Sequence, residues 1–337
     1  MLYVTTRNQQ NTFTPWQVLQ VNRSVDGGFF LPFREPCFSS EEIQALESKP
    51  FGQCVADILN NLFQTELTGW DVDFSIGRYP ARFTTLSNRI FVGEVWHNPD
   101  WKFDFLIDNL AKLIGVKQDV PGDWVRIGIR ISVMFGLFGQ LFRQGISSAD
   151  ISFVAGDFTV PISAWYARKW GLPIRNIICT CNENKGLWDL LCQGQMRTDF
   201  VSVPTSLPEA DVSVPTALEH LIYGCGGVSE VEHYLDCIRT GVMYIPGAGM
   251  LSQITNGLYV SVVSSKRIPE TIAGVYSSHE YLMTSPTAMA YAGMLDYRVK
   301  QAENRHVIVW SEKAPICEAN TIAKSLSIPV ELLLKMI

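Results

Sequence analysis

The feature that most constrains the fold of this chain is a regular alternation of helical and extended segments in its middle third. The pattern predicts, in order, helix 123–143, strand 151–155, helix 160–170, strand 174–180 and helix 183–193. The two strands are continuous apolar runs, which is the pattern of parallel strands that are buried on both faces. The sequence therefore predicts an α/β protein with a doubly wound, mostly parallel sheet.

The segments on either side predict a larger domain and an N-terminal extension. Downstream, apolar runs predict strands at 258–264 and 306–310, with helices between and after them. Upstream, short predicted strands and helices make up an α+β appendage. We therefore divide the chain into an N-terminal segment, 1–95, and an α/β domain, 96–337.

Charge and composition argue against several classes of protein. The net charge is −6, and no basic run with interleaved aromatics occurs, so nucleic acid and anionic membrane are not expected as partners. The longest uncharged apolar stretch, 131–142, is too short for a bilayer span, and the first residues show no signal-peptide pattern. The eight cysteines have no paired metal-ligand spacing, so no metal is expected. We predict a soluble, cytoplasmic protein.

Several stretches, taken in order along the chain, resemble the motifs of one enzyme family. They are Tyr3-Val4-Thr5-Thr6-Arg7, 25–32, 97–105, Asp123-Trp124-Val125-Arg126, 156–170, Gly171-Leu172-Pro173-Ile174 and Asn182-Glu183-Asn184. In this order they resemble threonine synthase, one of the tryptophan-synthase-β-like (fold type II) enzymes that use pyridoxal phosphate (PLP). The resemblance implies the large domain of that fold, a PLP cofactor and lyase chemistry on an amino acid.

The cofactor lysine is where the chain departs most clearly from this family. Residues 97–105 are similar to the family motif H-G-P-T-x-A-F-K-D, and the lysine of that motif falls on Asp104. A carboxylate cannot condense with the cofactor aldehyde to form a Schiff base. Lys102 is the fallback amine, but two residues along a helix turn it about 200° away from the same face. We therefore expect no catalytic residue and no PLP, unless Lys102 takes the lysine's role.

The loop that resembles the family's phosphate-binding loop has also changed. Such loops bind an anion through backbone N–H groups at a helix N-terminus, over bare glycines. By the resemblance, Asp157 replaces an asparagine and Thr159 replaces a glycine, which brings in a negative charge and a β-branched side chain. The remnant cofactor-binding candidates are Gly156, Asp157, Phe158, Thr159, Ser311 and Glu312.

A third departure is the short distance between two predicted helices. In the family, a smaller domain with an S-G-D-T-G loop lies between the lysine helix and the next helix. Here only residues 117–122 separate them, so the resemblance implies that the PLP small domain is deleted near 117–122, together with the lid that excludes water. The surface uncovered by this deletion is expected to bind a protein partner or a second copy of the chain.

Four charged residues have both a structural and a functional interpretation. His97 is expected to be a structural histidine at a strand end, with an acid or base role as the alternative. Arg126 and Arg130 lie one helical turn apart and either bind an anion or a partner's carboxylate, or form an exposed or ion-paired face. Glu312 is expected to cap a helix or to face solvent, although it could also pair with a pyridinium.

Three hypotheses about function follow. The leading one is a pseudoenzyme, a threonine synthase-like protein that acts as a binding, scaffolding or regulatory subunit of a homo-oligomer or with a protein partner. The alternative is an active PLP-dependent lyase, or another amino-acid or phospho-metabolite enzyme, that uses Lys102, Asp104, Glu312 or Lys313. A third is a sensor that binds a small anionic or amino-acid ligand. Fold alone does not decide among them.

Overall fold

The computed structural model describes residues 1–78, 80–118, 120–301 and 304–337, which form a six-stranded sheet and a separate two-stranded ribbon. The described strands are β1 (Tyr3–Thr5), β2 (Phe30–Pro32), β3 (Arg82–Ser87), β4 (Ile90–Glu94), β5 (Ala149–Val154), β6 (Ile174–Cys181), β7 (Leu258–Val262) and β8 (Val307–Ser311). The order in the sheet is β3-β4-β8-β5-β6-β7. β3 and β4 pair antiparallel, and the other neighbours pair parallel.

Helices cover both faces of this sheet. The described helices are α1 (Pro15–Gln20), α2 (Ser40–Gln44), α3 (Phe51–Phe63), α4 (Gly69–Ile76), α5 (Phe103–Leu113), α6 (Asp123–Arg143), α7 (Thr159–Lys169), α8 (Gly186–Gln193), α9 (Leu218–Thr240), α10 (Met250–Ile254), α11 (Ile268–His279), α12 (Ser285–Gln301), α13 (Ala319–Ser325) and α14 (Val330–Leu333). One apolar core joins α3, α6, α7 and α9, and a second joins α11, α12 and α13 on the other face. The predicted doubly wound, mostly parallel α/β fold is confirmed.

α6 is the central core helix, and its bounds are those predicted from the sequence. It packs between α3 and α7. The contact with the N-terminal segment is so close that a Cβ on Gly139 would lie 2.7 Å from the carbonyl oxygen of Leu46. By length and composition α6 could cross a membrane, but 89% of its apolar window is buried inside the protein. Its apolar character is therefore explained by its place in the core.

The N-terminal extension combines the β1–β2 ribbon with α1 to α4 and packs onto the domain through α3 and α6. Capping boxes at Thr14, Ser39 and Thr68 start α1, α2 and α4. Tyr3 is buried, and its hydroxyl donates a hydrogen bond to the carbonyl oxygen of Leu62 at 2.5 Å. Within the extension, the ribbon is thus joined to α3 by a buried hydrogen bond.

The main sheet extends across the boundary predicted at 95/96. β3 and β4 belong to residues 82–94, and β4 pairs directly with β8 near the C-terminus. The N-terminal segment therefore supplies one edge of the sheet. α5 and α6 are joined by residues 114–122, and the described part of this connection contains no helix or strand. The deletion of a small domain near 117–122 stays a prediction.

The two helices predicted at 216–223 and 229–239 are confirmed, because α9 breaks at Gly227, where φ is 71° and ψ is −166°, outside the helical region. Other local predictions were wrong. α4 and β3 have no predicted counterpart. The helix predicted for 183–193 begins only at Gly186, since Asn182, its predicted cap, accepts a hydrogen bond from the Asn184 N–H in the turn that precedes the helix. These errors arise where side-chain contacts distant in sequence override local preference.

His220 on α9 is a fully buried histidine in an aromatic cluster. Its Nδ1 lies 3.0 Å from the Tyr166 hydroxyl, and its ring packs against Phe29 and Trp124. Burial lowers the pKa of His220 from 6.5 to about 3, with a smaller contribution from the charge of Arg23. Below pH 6.5 the unfolded chain therefore takes up a proton that the folded protein does not bind, so stability is lost as the pH falls.

We expect the free energy of unfolding to fall by roughly 1.4 kcal/mol per pH unit as the pH drops from about 6 to about 5. Carboxylates such as Glu94, whose pKa is lowered from 4.5, act mainly below this window. Urea denaturation at several pH values measures the slope. The substitution His220→Gln should remove most of it, leaving the part due to His306, whose pKa burial also lowers, whereas His279→Gln, at an exposed position, should leave it unchanged. An equal slope in both variants would contradict the assignment to His220.

Candidate active site

A cavity of about 390 Å³ lies at the carboxyl ends of β5 and β8. These strands are neighbours in the sheet. On one side of β5 lies β6, which the chain reaches through α7, and on the other side lies β8, which follows α12. Ligands of open α/β sheets bind at such a switch point. The cavity is lined by Arg130, Phe153, Val154, Ala155, Gly156, Asp157, Val160, Pro208, Glu209, Val212, Thr284, Pro286, Trp310, Glu312 and Lys313.

A bidentate ion pair joins α6 to the end of β8 at the base of this cavity. Arg130 Nε and Nη2 donate to the two carboxylate oxygens of Glu312 at 3.0 and 3.1 Å, and Trp310 Nε1 also donates to Glu312. Arg130 is only 5% exposed. Burial opposes both charges, but the pair raises the pKa of Arg130 and lowers that of Glu312. The expectation that Glu312 caps a helix or faces solvent is wrong, because Arg130 binds it.

The position that resembles the Schiff-base lysine is held in a second ion pair. Asp104, in the first turn of α5, accepts a hydrogen bond from Arg126 Nη2 at 3.2 Å, and the Asp104 side chain is 59% exposed. Arg126 and Arg130 are therefore both ion-paired, which was one of the two interpretations. Lys102 is exposed just before α5 begins. Neither Asp104 nor Lys102 is among the described residues that line the cavity.

The loop at 156–159 connects β5 to α7 and binds its own side chain. Asp157 Oδ1 accepts a hydrogen bond from the Thr159 N–H at 2.9 Å. Gly156 and Phe158 both have positive φ, at 48° and 73°. A Cβ on Gly156 would lie 3.1 Å from the carbonyl oxygen of Glu209, so a second loop packs directly over this one. The carboxylate of Asp157 thus occupies a backbone donor that an anion would need.

That second loop, which contains the 3-10 turn Pro208–Ala210, forms one wall of the cavity. Asp211 holds it in place by accepting hydrogen bonds from Asn182, Asn184 and Thr205. Burial opposes the charge of Asp211, but the hydrogen bonds lower its pKa.

An ion pair closes the cavity between this loop and β8. Lys313 Nζ donates to Glu209 Oε1, and their side chains are 30% and 45% exposed. Burial would lower the pKa of Lys313, but the bond to Glu209 raises it above its ordinary value. Glu209 was missed by the sequence analysis because it lies in a polar, proline-containing passage without a motif.

Ser311 lies in a chain of buried hydroxyl groups behind the cavity. Thr287 donates to Ser311 Oγ at 2.9 Å, Trp96 Nε1 donates to the same oxygen at 3.2 Å, and Thr284 lies 2.9 Å from Thr287. Since the Thr287 hydroxyl proton points to Ser311, Thr284 donates to Thr287. Of the remnant cofactor-binding candidates, Gly156, Asp157 and Glu312 line the cavity, whereas Ser311 does not.

His97 belongs to a separate cluster around a buried carboxylate. Its Nε2 lies 2.6 Å from Glu94, which also accepts hydrogen bonds from Tyr281 and Thr84. Burial raises the pKa of Glu94, but these partners lower it more, so the pKa falls below 4.5. His97 follows β4 and is not among the described cavity-lining residues. Among the described residues, no group of three or more His, Cys, Asp or Glu could hold a metal ion.

Known proteins share the fold of this chain, and a family model matches part of its sequence. Residues 2–77 match the family model described as threonine synthase N terminus. PLP-bound threonine synthase from Brucella melitensis has a TM-score of 0.84 at 16% identity, over 97% of this chain and 92% of that one. Threonine synthase from yeast gives 0.81 at 17% identity, over 97% and 90%. The Escherichia coli enzyme gives 0.76 at 15% identity, over 100% and 94%.

The fold defines the class: it is that of the threonine synthases, fold type II, over nearly the whole chain. The chain is similar to threonine synthases in fold, and residues 2–77 match the sequence pattern of the threonine synthase N terminus. The resemblance based on sequence motifs is thereby confirmed. At identities of 15–17% the structural likeness establishes the fold alone.

Proposed function

We propose that this protein is a threonine synthase-like pseudoenzyme, a binding, scaffolding or regulatory subunit that does not form a Schiff base with PLP. One observation carries the proposal. Each ionisable side chain among the described cavity-lining residues already has a partner within the chain. Arg130 is paired with Glu312, Lys313 is paired with Glu209, and Asp157 binds a backbone N–H.

The lysines near the cavity do not fit the covalent chemistry. A Schiff base requires a neutral amine close to the cofactor aldehyde. Lys313 lines the cavity, but its pairing with Glu209 raises its pKa and so favours the unreactive ammonium form. Lys102 lies outside the cavity, and Asp104 at the lysine position is a carboxylate paired with Arg126. The residues present therefore do not fit a covalently bound PLP.

The start of α7 does not fit the phosphate of PLP either. A helix N-terminus binds an anion through its first N–H groups. Here Asp157 takes the Thr159 N–H, Pro161 has no N–H, and the Ile162 N–H is bonded to the carbonyl of Phe158. Among the described residues this leaves Val160 as the remaining donor of that turn. The carboxylate of Asp157 would also repel a phosphate dianion.

The proposal includes a protein partner or a second copy of the chain. Trp70 and Phe74 on α4 are 71% and 80% exposed, and their rings stack at 5.3 Å. Exposed aromatic surface of this kind favours protein contact. The connection at 114–122 is also too short to form a domain that could close over the cavity. We propose the cytoplasm as the compartment, since all eight cysteines are described and free, as expected in a reducing environment.

Reductive labelling tests this proposal. Purified protein is incubated with PLP and reduced with borohydride, and labelled lysines are mapped by mass spectrometry. We expect only weak labelling scattered over exposed lysines, and no stoichiometric adduct, because no neutral amine faces the cavity. Lys102→Arg and Lys313→Arg variants are the matched controls. A stoichiometric adduct that one of these variants abolishes would support the alternative, an active PLP-dependent lyase, and would overturn the proposal.

A further inference from the structure

The charged groups that line the cavity are not balanced. Among the described lining residues there are three carboxylates and two cations. Glu312 is paired with Arg130, and Glu209 is paired with Lys313, so Asp157 is the carboxylate that exceeds the number of cations. Asp157 is exposed, and within the described chain no cation lies within ion-pair distance of it. The cavity thus offers, at the N-terminus of α7, a negative charge without an ion-pair partner among the described residues, although it is near enough to Arg130 to contribute to the raised pKa of that guanidinium.

A buried donor lies in the same cavity. Arg130 Nε and Nη2 are used by Glu312, but Nη1 is buried and has no hydrogen-bond partner among the described residues. An unsatisfied buried donor costs about 1–3 kcal/mol, and more when it is charged. Arg130 lines the cavity, but Nη1 itself is buried, so a ligand oxygen accepts this hydrogen bond only when side chains of the cavity wall move aside. The donor is an observation independent of the charge of Asp157.

The remaining walls determine what else a ligand must carry. Phe153, Val160 and Trp310 present apolar and aromatic surface, and ligand cavities of this size commonly combine such walls with a few polar groups. Thr284 also lines the cavity. Because its hydroxyl proton is directed to Thr287, its oxygen keeps a lone pair for a donor on the ligand.

We propose that this cavity binds a small organic monocation with an ammonium group, an apolar or aromatic body and one carbonyl or hydroxyl oxygen. The ammonium group pairs with Asp157, the oxygen accepts from Arg130, and the body lies against Phe153 and Trp310. This inference rests on the proposed function, because it names the ligand class of the same cavity. It also reverses the charge of ligand that a phosphate-binding loop would select.

Calorimetry on the full chain with two matched probes tests the inference. L-Phenylalaninamide is a monocation with a carbonyl oxygen, and N-acetyl-L-phenylalanine has the same ring and an amide but is an anion. We expect the cation to bind and to lose affinity as salt is raised, while the anion shows at least about tenfold weaker binding. In Asp157→Asn the side-chain oxygen still caps Thr159, so the fold is kept, and affinity for the cation should fall about tenfold.

A second variant places the site within the cavity. Val160→Phe fills space beside Asp157 without changing any charge, and it should abolish binding of the cation. Circular dichroism confirms that both variants are folded. Failure of the cation to bind at about 10 mM, equal binding of the anion, or unchanged affinity in Asp157→Asn would each overturn the inference. These results are distinct from the labelling test, since a PLP–lysine adduct would overturn the proposed function whether or not L-phenylalaninamide binds.

Discussion

Replacing Glu312 with glutamine should lower the free energy of unfolding by on the order of 4 kcal/mol, because it leaves the buried guanidinium of Arg130 without a counter-ion. Arg130 is only 5% exposed, although the side chain of Glu312 is 27% exposed, so water from the cavity replaces the lost carboxylate only in part. Urea denaturation measures the effect. The pKa of Glu312 is lowered from 4.5 in the folded protein, so its contribution is present above that pH and is lost as the pH falls. The Glu312→Gln variant should therefore also lose stability less steeply in acid.

Two controls separate a buried pair from a surface pair. Glu209→Gln removes the partner of Lys313, but both side chains are partly exposed, so the expected loss is about 1 kcal/mol or less. The double variant Arg130→Met/Glu312→Leu removes both buried charges and should recover most of the stability lost in Glu312→Gln. A loss below about 1 kcal/mol in Glu312→Gln would show that solvent reaches Arg130.

Replacing Arg7 with methionine should lower the free energy of unfolding by about 3 kcal/mol, because it leaves the buried carboxylate of Glu219 on α9 without a counter-ion. Arg7 Nε and Nη2 donate to Glu219 at 3.0 and 2.9 Å, and Thr6 donates to the same carboxylate. Glu219 is 3% exposed, and its hydrogen bond to Arg7 raises the pKa of Arg7. The Thr-Arg of the opening motif therefore fastens the N-terminal ribbon to the α/β domain.

Arg239→Met is the matched control for this prediction, since Arg239 is paired with Asp236 on the same helix and both side chains are exposed. Its substitution should change stability by about 0.5 kcal/mol or less. Equal effects of the two substitutions would contradict a fastening role for Arg7. A transition that splits into two steps in Arg7→Met would show that the N-terminal segment unfolds separately from the rest.

Much of the fold was predictable because its signals are local. The apolar run at 123–143 has the period of a buried helix, and α6 has those bounds. The continuous apolar runs of β5 and β6 predicted parallel strands, which pair as expected. The capping box at Ser39 is a local signal too, because it needs residues only three positions apart. By contrast, β3 is a short strand with mostly polar or exposed residues, and it carries no such pattern.

The site was less predictable because its partners are far apart in sequence. Glu312 looked like a cap or a solvent-facing residue, since nothing near it indicates a guanidinium 182 positions away. Asn182 was predicted to cap α8, but its oxygen accepts from the Asn184 N–H before the helix begins, and its amide group donates to Thr205 and Asp211 of a loop that is distant in sequence. Glu209 could be recognised as part of the cavity only once that loop was seen to pack over Gly156.

The sequence by itself determined the class of fold and the carboxylate at position 104, since periodicity and residue identity are local properties. The tertiary structure decided how the charged side chains around the cavity are paired. It brought Arg130 to Glu312 and Lys313 to Glu209, and it turned Asp157 back onto the start of α7. Buried charges need partners, and folding supplies those partners from distant parts of the chain.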